Sequence, residues 1–504
     1  MRVLLFSMPD SFEHMPTVGI RMPNGALHSL AANVDSHHEV AVADLILAQN
    51  RVRQTVTELV QKLRPNVVGL SVMTFQRRTA RKIIELVRRL APGVKIVVGG
   101  YDASLAVEAY TSPEDGVDFI VRGEGEITFQ ELLRAMEGSQ NFSSVRGLSY
   151  CVGDGQTNPN PCFRHNPDRP VNILSDGRIR PPERSARVLS GYEFLGNVID
   201  IVETSRGCTF DCSFCSIIEM RGRNFFTYSF DRVLNDIRDA QQHGARTILF
   251  VDDNIGLNVH RLETLCRAII DAGLNNIEYI VQAMTSTIAN HGDTLAPLMA
   301  KAGFKYIFLG IENILEEDLK FLKAAAKNFK RQNGKRAGNA TLQAIDYIHR
   351  HDMYVVGGLI VGNPDDTEES IRANLDFVKQ HVDYPYIQHP TPYPRTPMTK
   401  DFEAQGLISS RAEEEYDGTT AVVSTKHLPA RDIEFLRWRS ERWIKARHAL
   451  AMFRDRPIFV LRNAHRMFGY TFRGCTWRTI LGLEDERKAF GRYRALRALE
   501  REYL

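Results

Sequence analysis

Three cysteines, Cys208, Cys212 and Cys215, fall close together in the segment "ETSRGCTFDCSFCSIIEM". Thiolates in a C-x3-C-x2-C pattern can converge on three corners of a cubane iron–sulfur cluster, and a missing fourth ligand leaves one iron open to a reactant. Zinc would recruit a fourth cysteine or histidine at similar spacing, whereas the nearest downstream histidine is His243. Positions i, i+4 and i+7 also share a helix face, so three small core residues are the competing reading. Gly207 and the Thr, Asp and Ser neighbours make a poor helix interior and weigh against it. Seven cysteines in all is an odd, sparse set that argues against a disulfide framework. Cys151, Cys162, Cys266 and Cys475 are scattered and read as inert.

Other polar residues stand where strands are expected to end. "FVDDN" carries Asp252 and Asp253, suited either to a ligand's amino or hydroxyl groups or to capping the next helix. "GIEN" brings Glu312 to a similar position, and "GGLIVGNPDDTEES" reads as a strand, a sharp turn and a helix capped at Thr367. Arg221 and Arg223, in "MRGRNFF", are as well suited to solvent as to carboxylates.

The elements that must hold these residues alternate. In the first 140 residues, apolar runs at 2–8, 67–73, 94–100 and 118–123 read as strands buried on both faces, with helical patterns at 52–64, 77–90 and 125–137. Such alternation predicts a doubly wound parallel sheet, with ligands beyond the carboxyl ends of its strands. Residues 146–196 are rich in Pro, Gly and Asn and read as a linker between an α/β domain (1–145) and a second series (197–400). That series has strand-like runs at 198–205, 246–253, 277–284, 305–312, 353–362 and 384–394, separated by helical patterns at 229–243, 259–272, 293–302, 337–351 and 367–381. Six βα units predict a partial TIM-like barrel. Beyond 401 helices dominate.

The cysteine motif, with Phe214 before its third cysteine and on the first strand of a six-unit βα series, resembles the radical S-adenosylmethionine superfamily. The resemblance implies that Cys208, Cys212 and Cys215 ligate a [4Fe-4S] cluster and that Phe214 shields it. It further implies that the open iron chelates S-adenosylmethionine, whose cleavage yields a 5′-deoxyadenosyl radical that abstracts hydrogen from an unactivated position. Asp252, Asp253 and Glu312 become the candidate contacts to that cofactor; Glu312 resembles the family's "GxES" segment. "TPYPRTPM" resembles the family's "PYPGTPL", with Arg395 in place of glycine.

The preceding domain, with "GLSVMTF", "VVGGYDAS" and "RGEGEITFQELL", resembles that of the superfamily's cobalamin-binding subgroup. Ser71, Thr74, Gly99, Gly100 and Gly123 would then face the corrin or its nucleotide arm, small residues permitting close approach. No Asp-x-His-x-x-Gly segment supplies a lower axial histidine, no G-x-G-x-x-G follows the first strand, and Glu124 and Glu126 are also placed to start a helix. The expected activity is C-methylation of an unactivated carbon through methylcobalamin. The alternatives are oxidative cyclisation or carbon–carbon coupling within the subgroup, or a cobalamin- or redox-sensing protein with a structural cluster. An electron donor such as flavodoxin or ferredoxin is implied with the enzymatic readings.

Charge is nearly balanced, 64 Lys+Arg against 61 Asp+Glu, so composition does not point to nucleic acid. The balance is an average: residues 426–504 carry about +10 and the remainder about −7, and Trp438, Trp443 and Trp477 all lie in the basic tail. The stretch 430–480 is suited to peripheral contact with an anionic membrane, to a lid over a lipid-like or anionic small-molecule substrate, or to a helix packed on the barrel. No apolar run approaches the ~20 residues of a membrane span. A cytoplasmic location, at most at the inner membrane face, is the expectation.

Overall fold

Val3, Leu4, Leu5 and Phe6 are all buried in the strand Arg2–Ser7 (β1), as a strand covered on both faces requires. In the computed structural model, which describes residues 1–138, 140–152, 162–171, 179–332 and 335–504, β1 lies near one edge of a seven-stranded sheet. Its partners are Glu39–Asp44 (β2), Val67–Ser71 (β3), Lys95–Gly99 (β4), Phe119–Val121 (β5), Leu148–Val152 (β6) and Cys162–His165 (β7). Spatial order is β2-β1-β3-β4-β5-β6-β7; the first five are parallel and the last two antiparallel. The order reverses between β1 and β3, so their carboxyl ends open a crevice. One face packs Leu27 of Gly25–Asn33 (α1) and Phe129 of Gly125–Glu137 (α4) on Val3 and Leu5; the other packs Val56 of Val52–Leu63 (α2) and Ile83 of Arg77–Leu90 (α3) on Leu4 and Phe6.

The second sheet runs in chain order through Ile199–Val202 (β8), Thr247–Phe250 (β9), Glu278–Met284 (β10), Phe304–Glu312 (β11), Tyr354–Ile360 (β12) and Tyr384–Gln388 (β13), all parallel, and β8 and β13 do not pair. This is the expected six-unit open barrel. Its outer layer comprises Phe230–Gln242 (α5), Val259–Asp271 (α6), Thr285–Lys301 (α7), Thr341–His349 (α8) and Glu368–His381 (α9). Thr367 caps α9 as read, accepting from the Ser370 backbone.

Along the two sheets and their helices the structure departs from the sequence reading in four places. The interval 146–196 is more than a linker: β6 and β7 extend the first sheet, and Ala186 and Val188 bond to Val42 on its opposite edge. Helix α7 begins at Thr285, eight positions before the apolar periodicity becomes visible, because Asn290, His291 and Asp293 interrupt the pattern. The helix expected over 337–351 is shortened by an antiparallel pair, Phe329–Gln332 with Lys335–Asn339. Strand β13 stops at Gln388, since Pro390, Pro392 and Pro394 cannot donate to a ladder.

The tail forms Ala430–Asp455 (α10), Pro457–Thr471 (α11) and Glu486–Glu500 (α12). Of the three readings open for 430–480, the packed helix holds for the first half of α10. Ile433, Phe435, Leu436 and Trp438 are buried, Arg437 is fully enclosed and pairs with Glu441, and Arg442 reaches Glu486. The first half of α10 is therefore core, and exposed apolar residues begin at Trp443. From α11, Phe459 enters the barrel's lower end among Ile199, Ile280 and Tyr306. No helix among the described residues is long and apolar enough to cross a membrane.

Candidate active site

A cavity of about 400 Å³ lies where the two sheets meet. Ser71, Gly99, Gly100 and Gly123, at the carboxyl ends of β3, β4 and β5, form one wall; Glu203, Arg206, Arg221 and Asp253, from the loops after β8 and β9, form the other. Its inner arm runs between the first sheet and the helices α1 and α4, past Leu5, Gly69, Leu27 and Phe129. Gly100 is required at its position: its φ is +98°, and a Cβ would meet the Val72 carbonyl oxygen at 2.8 Å. Thr74 does not reach the cavity. Its hydroxyl donates to Asp102 at 2.8 Å, within a buried group that includes Arg77 and Tyr110, so the expected corrin contact at Thr74 becomes support for the wall. Among the described residues lining the cavity there is no histidine, in keeping with the missing axial motif.

The cysteine loop follows β8. Asp252 anchors it: the Thr204 backbone and hydroxyl donate to this carboxylate at 2.7 and 2.5 Å, and the Ser205 hydroxyl donates as well. Burial lifts the Asp252 carboxyl to about 6 against these donors. With both oxygens occupied, Asp252 positions the loop, which corrects its reading as a cofactor contact. Asp253 accepts from the Gly207 backbone at 2.7 Å and from Arg221 at 2.8 Å, on the cavity wall. Arg221 thus has a carboxylate partner, while the exposed Arg223 pairs with Asp211.

Cys212 is buried, Cys208 and Cys215 partly so, and Phe210 and Phe214 pack on Cys212 together with Met398 and Phe402. Burial pushes the Cys212 and Cys215 thiols up to about 12 and about 11, so they are neutral until a metal displaces their protons. Among the described residues only His37, His38 and Glu137 bring three ligand atoms within 4.8 Å of one another. The cysteine triad is wider than a one-ion site, as a cubane with one thiolate per iron requires. Asn254 approaches the Cys208 sulfur at 3.7 Å.

Glu312 ends β11 with φ +58°, a left-handed conformation rare outside glycine. Its carboxylate lies back over Gly310, where a Cβ would stand 2.7 Å from Oε1, and pairs with Lys327 at 3.3 Å. Burial would lower the Lys327 ammonium, but Glu312 and the three cysteine sites hold it above its ordinary value. This cation beside the cluster loop was not singled out in the sequence, because it lies in an irregular stretch 112 residues beyond Cys215.

Also missed were the groups that join the walls. Arg206 donates to Glu126 of α4 at 2.7 Å and to Glu203 at 2.8 Å, with Glu124 at 3.7 Å. Glu126 also accepts from Ser29 at 2.8 Å. Burial alone would raise the Glu126 carboxyl, but Arg206 holds it at about 2. Glu124 makes no side-chain cap to α4, whereas Glu126 stands in the first turn of the helix as read and in addition binds Arg206. Tyr101 also lines the cavity, and burial lifts its hydroxyl to about 12, leaving a neutral hydrogen-bond donor.

Residues 13–133 match the family model for the B12 binding domain, and residues 202–378 match that for the radical SAM superfamily. An uncharacterized methyltransferase of Pyrococcus horikoshii is 26% identical over 96% of this chain and 98% of its own length. The hopanoid C-3 methylase of Methylococcus capsulatus is 27% identical over 72% of this chain and 65% of its own. Among solved structures, the cobalamin-dependent S-adenosylmethionine radical enzyme OxsB, with aqua-cobalamin and S-adenosylmethionine bound, superposes with a TM-score of 0.65. It covers 99% of this chain and 76% of its own at 16% identity, a likeness of fold.

Proposed function

The chain belongs to the cobalamin-binding subgroup of the radical S-adenosylmethionine superfamily, and from that premise we propose that it is a C-methyltransferase acting on an unactivated carbon. The observation that supports this most directly is the cavity shared by the two domains, one wall from each. Cobalamin in this cavity would supply the methyl group, and the cluster with S-adenosylmethionine, on the cysteine loop that continues from the cavity-lining Arg206, would supply a carbon-centred radical.

The residues present fit those groups. The cluster loop offers three thiols, the composition that would leave one iron of a cubane open. On the other wall, glycines and Ser71 leave room for a flat ligand, and the apolar inner arm suits the nucleotide arm of cobalamin better than its corrin ring. Cys208, Cys212 and Cys215 would hold the cluster, Phe214 would keep water from it, and Asp253 with Glu312 would face S-adenosylmethionine. Ser71, Gly99, Gly100 and Gly123 would seat cobalamin. The chain's own contribution is orientation and exclusion of water: Asp252 sets the loop, and Arg206 with Glu126 keeps the walls in register. An electron donor such as flavodoxin or ferredoxin would reduce the cluster, and a small molecule of lipid-like or anionic character would be the methyl acceptor.

The test is anaerobic reconstitution with iron, sulfide and cobalamin, followed by reduction with methyl-labelled S-adenosylmethionine and an extract of small molecules as acceptor source. Expected are corrin retained through gel filtration, 5′-deoxyadenosine release, and label in an extracted product. Cys212→Ala should lose iron and 5′-deoxyadenosine while keeping corrin. A wild-type protein that carries cluster but no corrin would rule out methyl transfer by this route.

A further inference from the structure

The second half of α10 and the whole of α11 form a helical hairpin, joined at Arg456 and tied at its open end by the rings of Trp443 and Phe472, 5.9 Å apart. Its inner side is accounted for. Phe459 plugs the barrel, Asp455 bonds to Tyr306 at 2.5 Å and Lys305 at 2.7 Å, and Arg456 reaches Glu278. Its outer side is apolar too, and none of the described residues covers it. Leu450 is 79% exposed, Ile458 65%, Leu461 69% and Phe468 57%. On α10, Trp443, Leu450 and Phe453 recur at helical spacing, as do Ile458, Leu461, His465 and Phe468 on α11, so each helix presents a continuous stripe. The short helix Trp477–Ile480 adds Trp477, 66% exposed, beside the open end, where Arg442 bonds to Cys475.

Charge around these stripes is one-sided. Residues 443–483 contain eight Lys or Arg and one acid, Asp455, whose carboxylate is spent on the barrel. Three of the eight are consumed within the fold, Lys445 by Glu441, Arg456 by Glu278 and Arg473 by Glu13, as are Arg497 and Arg501 by Asp417 farther along the tail. Arg447, Arg454, Arg462, Arg466 and Arg478 are exposed and have no ion pair among the described residues. A second copy of the chain would bring these cations against their own kind. An apolar surface rimmed by unpaired guanidinium groups and tryptophans matches the interfacial zone of an anionic bilayer, where apolar side chains enter the acyl boundary and arginines meet phosphates.

We propose that the outer face of this hairpin, residues 443–483, docks the protein on anionic lipid membranes. The face is distinct from the cavity, so docking requires neither cofactor nor catalysis.

The full-length protein is sedimented with vesicles of phosphatidylglycerol and phosphatidylcholine in equal parts, and with phosphatidylcholine alone. Binding is expected only to the anionic vesicles and should weaken as salt rises. Leu461→Glu/Phe468→Glu, which alters exposed positions only, should reduce binding about tenfold or more, as should Arg462→Glu/Arg466→Glu, with circular dichroism unchanged. Failure of the wild type to bind anionic vesicles, or binding by both variants as strong as that of the wild type, overturns the proposal. So does a concentration-dependent dimer in analytical ultracentrifugation that Leu461→Glu/Phe468→Glu abolishes, which would assign the face to a second copy.

Discussion

Two residues outside the cavity report on how the chain tolerates local cost. Arg395 stands where the resembling segment has glycine, and the backbone has kept the glycine conformation, φ +66°, with the side chain exposed. An L-residue in this region costs ~1–2 kcal/mol, partly offset by the extra freedom glycine has when unfolded. Arg395→Gly should therefore raise stability by about 0.5–1 kcal/mol in urea unfolding. No gain would mean that the arginine side chain repays the strain through a contact of its own. Asp10 illustrates a buried carboxyl. Thr79 donates to one oxygen at 2.9 Å and the other has no partner, and burial lifts the group from 3.8 to about 7. Between those values the native carboxyl holds a proton that the unfolded chain has released, so stability falls as pH rises through this window. Asp10→Asn should match the wild type near pH 4 and melt higher than it near pH 8, a difference read directly from thermal melts across pH; a gap independent of pH would sink this account.

At the scale of elements, the strand and helix ends carry the chemistry. The start of α4 and the loop after β8 come from different domains, yet Arg206 bonds across them to Glu126. Removing one partner of a buried pair leaves the other charge uncompensated, at ~3–5 kcal/mol. Glu126→Gln keeps a neutral acceptor, and Glu203 still neutralises Arg206, so a loss of about 2–3 kcal/mol is expected. In reconstituted protein the same change should leave iron and corrin content near wild type while lowering labelled product relative to 5′-deoxyadenosine, because the two walls lose register. A proportionate fall in both products would point to a purely structural pair.

Across the whole molecule, the open barrel is completed by chain that is not barrel. Phe459 of α11 fills the lower end, and Arg497 of α12 binds Asp417 and Glu13 of the acidic body. The near-neutral total charge conceals this internal pairing. Phe459→Ala would leave a void under Ile199 and Tyr306 and should cost about 3–5 kcal/mol. The denaturant midpoint measures it; a loss under about 1 kcal/mol would mean the base can collapse around the void. Because α11 is held to the barrel by this residue, its loss should also weaken vesicle binding.

The cysteine triad, the two alternating series and the helical tail were legible in the sequence because each is a local signal: short spacing, period-two or 3.6 hydrophobicity, and turn residues. Ser71, Gly99, Gly100 and Gly123 were legible for the same reason, standing at strand ends where the fold opens. Thr74 and Asp252 carry the same kind of signal, yet their partners, Asp102 and Thr204 with Ser205, turn them into supports. Lys327 and the pairing of Arg206 with Glu126 were not legible, and of the readings open for 430–480 only the structure separates the covered half of α10 from the uncovered face of α11. An ion pair between residues 80 positions apart leaves no periodic trace, and an apolar helix reads alike whether one face is covered or both. Sequence alone therefore determined the two alternating series and the cofactors that go with them, while tertiary packing decided that part of 146–196 joins the first sheet, which polar groups face the cavity, which are spent inside the fold, and which apolar surface remains uncovered.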